Sequence, residues 1–88
     1  MKAFERSETE SLKRLGKVLH LSRSRSLVVK LESETRIRLG IKVYDSRLRE
    51  VGFVADIFGP VTTPYIAIRP IIPNPVSQVG RVLYSSEA

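Results

Sequence analysis

Gly59-Pro60 interrupts the longest extended apolar stretch of the chain, and that break constrains the fold more than any other feature. Before it, Val51, Phe53, Ala55 and Ile57 alternate with Gly52, Val54, Asp56 and Phe58. A period of two is that of a β-strand with one face on a core. Val54 and Phe58 make the second face partly apolar too, as in a strand that is central or lies against another surface. After the break, Tyr65 to Arg69 resumes extended structure and stops at Pro70. Glycine accepts turn geometry and proline cannot donate a ladder hydrogen bond. The two runs therefore read as a hairpin closed by a tight Gly-Pro turn.

Four shorter runs have the same extended character: residues 15–21, 27–31, 40–44 and 80–84. Ser22-Arg23-Ser24-Arg25-Ser26 is a polar loop between the first two, and it reads as a hairpin connection rather than an Arg-Ser tract. The charged residues 32–39 form the next connection. Asp45-Ser46 opens a turn, where short polar side chains bond to nearby backbone. Pro70, Pro73 and Pro75 rule out an interior strand over residues 70–75, which reads as a fixed extended crossing loop. Six short strands with turn signals between them give an all-β, six-stranded barrel over residues 14–85. Residues 1–13 read as an arm with at most one helical turn, since Ser7 and Glu10 fit a capping box but few apolar positions follow. No internal repeat of 20–50 residues is visible.

Eighty-eight residues suffice for one domain. There is no cysteine and one histidine, so disulfides, thiolate metal sites and an ordinary zinc site are excluded, and no cofactor is expected. No apolar run approaches the ~20 residues that span a bilayer. The net charge of +6 lies entirely in residues 1–50, and residues 51–88 are neutral. A basic half can meet RNA through phosphates, which makes Arg23, Arg25, Arg36 and Arg38 candidate RNA contacts. No aromatic stacking platform accompanies them in the sequence.

Catalytic chemistry finds little support. Asp56 reads as a carboxylate at the rim of a strand, and His20 as a packed side chain on the face of Gly16 and Val18. No nucleophile elbow or phosphate-binding loop is present. A binding role fits better. Val54, Phe58, Gly59, Pro60, Val61, Pro64 and Tyr65 cluster at one end of the central hairpin, either as an exposed apolar patch or as a plug of the barrel end.

These residues resemble a known family. Gly16-Lys17-Val18-Leu19-His20 is similar to the G-x-V-x-H opening strand of the small glycine-arginine-rich (GAR) subunit of box H/ACA ribonucleoproteins. Val43-Tyr44-Asp45 resembles that family's next marker. Residues 51–61 resemble its (I/V)-G-x-V-x-E-I-F-G-P-V segment, and Tyr65 to Arg69 its following strand. The resemblance covers residues 16–84. It implies a split β-barrel of translation-factor type and a non-catalytic subunit of an RNA-guided pseudouridine synthase. Such a subunit binds the catalytic subunit directly, touches guide RNA little or not at all, and helps load and release substrate RNA; the apolar hairpin end is the surface expected here to make that contact. The catalytic aspartate would belong to the partner, not to Asp56. Guide RNA and rRNA would be met through the complex, with self-association open to the isolated subunit. The absence of glycine-arginine-rich tails suits the short archaeal form, which would be cytoplasmic; a eukaryotic form would be nucleolar. Phe53 stands where the family often has a basic residue. The alternative is a free-standing basic β-barrel that binds RNA.

Overall fold

A computed structural model describes residues 12–32 and 37–85. The strands are β1 (Lys13–Leu21), β2 (Leu27–Lys30), β3 (Lys42–Tyr44), β4 (Glu50–Phe58), β5 (Tyr65–Pro70) and β6 (Val82–Ser85). They close into an antiparallel barrel in the order β1-β2-β5-β4-β3-β6. The all-β barrel expected from the alternation is thus the observed fold. Strand β1 begins at Lys13, inside the stretch read as an arm; the capping box at Ser7 and Glu10 lies outside the described residues. Of the crossing read over residues 70–75, Pro70 is the last residue of β5, and a short 3-10 turn follows at Pro75–Gln78.

Leu15, Leu27, Ile66, Ile68 and Leu83 fill the interior together with Val18, Val29, Val43, Val51 and Val54, all of them essentially inaccessible. Burying a side chain of this kind contributes about 1.5–3 kcal/mol, which is how a chain without disulfides holds together.

The two long strands are not regular. In β1, Arg14 pairs with Tyr84 and Gly16 with Leu83, so Leu15 is an extra residue. Val18 pairs with Val29 and His20 with Val28, so Leu19 is another. In β4, Val51 is extra between the Tyr44–Glu50 and Val43–Gly52 pairs, and Ala55 is extra between the Val54–Ile68 and Asp56–Ala67 pairs. Each bulge bends the strand and resets which face the following residues take. The strict alternation expected over residues 51–58 therefore fails: Val51 and Val54 both lie in the core, whereas Ala55 is exposed. For the same reason His20 is exposed and does not share the buried face of Gly16 and Val18.

The bulges match between halves. A two-fold axis across the barrel, through the β2–β5 and β3–β6 seams, exchanges β1 with β4, β2 with β5 and β3 with β6. Gly16-x-Val18 corresponds to Gly52-x-Val54, and Tyr44 to Tyr84. Gly80 N–H donates to the Val18 carbonyl at 2.9 Å, and Gly40 N–H to the Val54 carbonyl at 2.7 Å. Glu32 N–H reaches the Leu15 carbonyl just as Ile71 N–H reaches that of Val51. The chain thus contains an internal structural repeat, contrary to the sequence expectation. The halves share too few side chains for it to show as self-similarity.

The β3–β4 connection is built on Asp45. Its Oδ1 accepts the Arg47 and Arg49 backbone N–H groups, both at 2.9 Å, and its Oδ2 lies 3.4 Å from Arg49 Nε. Burial raises the carboxyl pKa, but the Arg49 and Arg47 N–H groups and the Arg49 charge outweigh it, and the net shift is downward. A lowered folded pKa means the carboxylate's contribution is complete above the unfolded value near 3.9 and drains as pH falls through the folded value. Asp45→Asn should therefore cost about 1–2 kcal/mol at pH 7 and lose less than the native chain on acidification. Urea unfolding at pH 7 and pH 3 checks this. An equal acid-induced loss in both proteins would remove the assignment.

Candidate protein-docking surface

Beyond the Ala55 bulge, β4 runs past the core. Asp56 pairs with Ala67 on the outer face, Ile57 with Ile66 toward the interior, and Phe58 with Tyr65 on the outer face. Ile66 is fully buried, but Ile57 sits at the barrel rim and remains 38% exposed. Phe58 is 42% exposed and lies in an offset stack on Tyr65, with centroids 5.6 Å apart and planes 16° apart. Such a pair contributes about 0.5–1.5 kcal/mol beyond its area and holds both rings in one orientation.

The connection over residues 59–64 is longer than the tight turn expected. Its geometry depends on Gly59, at φ +93°, where a Cβ would stand 2.9 Å from Tyr65 Cδ1. A side chain there would be strained and would displace the ring. Pro60 is exposed, Val61 is 95% exposed, and Pro64 and Tyr65 are half-buried. The far end of the loop is tied down where Leu31 N–H donates to the Pro64 carbonyl at 3.0 Å. At the near end, Ile57 N–H donates to Asp56 Oδ1 at 2.8 Å, so this exposed carboxylate serves its own backbone.

Phe58, Gly59, Pro60, Val61, Pro64 and Tyr65 are therefore brought together at one end of the barrel wall, as a patch rather than a plug. Val54 does not belong with them. It faces inward opposite Ile68, 1% exposed, because the Val51 bulge before it turns it to the core and the Ala55 bulge after it puts Phe58 on the other face. Ile57 joins the patch although the alternation set it on the core face, because at this end β4 extends past the core.

The described candidate RNA contacts come from two different connections. Arg23 and Arg25 are exposed on the β1–β2 turn. Arg38 is exposed on the β2–β3 connection, next to the segment whose Gly40 bonds to Val54. Arg36 lies outside the described residues. Among the described residues, no helix is long and apolar enough to cross a membrane.

No family model matches the chain. It is 36% identical over 77 residues to an uncharacterized protein of the archaeon Methanothermobacter thermautotrophicus, and the match covers 83% of this chain and 82% of that protein. At that identity and coverage, the chain belongs to the same family as this archaeal protein.

Proposed function

We propose that the chain is a non-catalytic subunit of a box H/ACA RNA-guided pseudouridine synthase and that the β4–β5 end docks on the catalytic subunit. The observation that carries this reading is the exposure of Phe58 and Val61 on an end fixed by Gly59, the Tyr65 stack and the Leu31–Pro64 bond. A preorganised apolar anchor loses little freedom on binding, so more of its burial appears as affinity. The resemblance of residues 51–61 to the GAR subunit segment names the partner. Catalysis then belongs to that partner, and the complex acts in rRNA pseudouridylation and ribosome biogenesis, in the cytoplasm of an archaeal cell. The subunit would favour one position of a mobile loop on the synthase that admits and releases substrate RNA. A preference of about 1.4 kcal/mol changes such a population ratio tenfold.

Affinity capture with the tagged full chain tests the proposal. A pseudouridine synthase is the expected co-purifying protein, identified by mass spectrometry. It should stay bound in high salt, since an apolar interface is little screened. Capture that never contains a synthase would reject the reading.

A further inference from the structure

The two halves of the barrel match in backbone and differ in what their matching loops carry. The β4–β5 connection is apolar, and its counterpart between β1 and β2 is Ser22-Arg23-Ser24-Arg25-Ser26. Strands β2 and β5 are antiparallel neighbours, which puts these loops at opposite ends of one outer face. The basic turn is rigid: Ser22 N–H donates to the Ser26 carbonyl at 2.8 Å, Arg25 N–H to the Ser22 carbonyl at 2.9 Å, and Ser26 N–H to Ser22 Oγ at 3.1 Å. Arg25 holds φ +65°, a conformation that costs a non-glycine residue about 1–2 kcal/mol.

The register extends the basic turn into a row. Leu27 pairs with Ile68, so Ser26, beside Arg25, comes level with Arg69. Arg69 pairs with Phe53, and Phe53 with Lys42. Arg25, Arg69 and Lys42 are exposed and Phe53 is half-buried between the last two. The carboxylates of β4, Glu50 and Asp56, lie three residues to either side of Phe53 and outside the row. At ~4.8 Å per strand the row from β3 to β2 spans about 14 Å. An aromatic ring set among cations can stack a base while the cations hold phosphates, which an acidic peptide would not exploit.

We propose that this row, Lys42, Phe53 and Arg69 continued by Arg25 and Arg23, binds a short stretch of single-stranded RNA. It stands apart from the docking end and does not require a synthase.

Fluorescence anisotropy of a labelled decauridylate with the full chain tests it. Affinity should fall with salt at a log–log slope of about −2 to −3, as for three to four phosphate contacts. Arg25→Glu/Arg69→Glu should weaken binding at least tenfold and flatten the slope by about 1.4. Arg47→Glu/Arg81→Glu makes the same change in net charge off the row and should weaken binding less than threefold. Backbone amide shifts of the unaltered chain should move at residues 25, 42, 53 and 69. Three results would each overturn the proposal: no salt-dependent binding by the native chain, equal losses in the two charge variants, or shifts concentrated at residues 58–65. The Arg25→Glu/Arg69→Glu chain should still capture the synthase if the docking proposal holds, so the two proposals fail separately.

Discussion

Gly52→Ala should cost the barrel more than about 3 kcal/mol, a large part of what an 88-residue domain has. A Cβ at this position would overlap the Arg69 carbonyl and come within 2.9 Å of the Arg69 carbonyl carbon and Pro70 Cα. These are backbone atoms of the paired strand, so they cannot swing aside as a side chain tip would. Relief requires β4 and β5 to separate where Gly52 pairs with Pro70, next to the bulge at Val51. Gly16, at the matching place in β1, is under the same constraint from the Lys30 carbonyl, 2.6 Å from its would-be Cβ. Gly80→Ala is the control. It has φ +87° but nothing within 4 Å, so only the backbone term of about 1–2 kcal/mol applies. Urea unfolding followed by circular dichroism compares the two. A Gly52→Ala protein within 1 kcal/mol of the native chain would mean the close strand approach is wrong.

The second large effect falls on binding far more than on folding. Phe58→Asp should weaken association with the synthase subunit at least a hundredfold, the size expected when an aromatic anchor is replaced by a charge left to be desolvated. Phe58 is exposed on the outer wall, so the fold loses only the Tyr65 stack, about 1 kcal/mol. Titration calorimetry gives the affinity and thermal unfolding the stability. A mutant that binds normally places the surface elsewhere; a mutant that unfolds would show that Phe58 belongs to the core.

Much of this molecule was legible in its sequence. The runs of valine, leucine and isoleucine mark all six strands, and the Ser-Arg turn and the Gly59-Pro60 break mark two of the connections. Bulges were not legible. A bulge is one extra residue in a pairing between distant segments, and nothing local distinguishes Ala55 or Leu19 from an ordinary strand residue. Each one inverted the reading just downstream, turning Val54 into the core and His20 to the surface. The patch was legible in composition, through Phe58, Pro60 and Val61, but its boundary at Val54 depended on where the bulge fell. The repeat was hidden because Gly16-x-Val18 and Gly52-x-Val54 share the backbone constraint while the residues around them differ. The basic row was hidden because Arg25, Arg69, Phe53 and Lys42 meet only through strand register.

Docking of residues 58–65 on a pseudouridine synthase, as proposed, should be visible residue by residue. Its most direct test is the backbone amide spectrum of the full chain, recorded before and after adding the synthase subunit. Signals from residues 57–65 should shift or broaden while those of the β1–β2 turn stay in place. Unchanged signals across that end, whether or not others move, would contradict it.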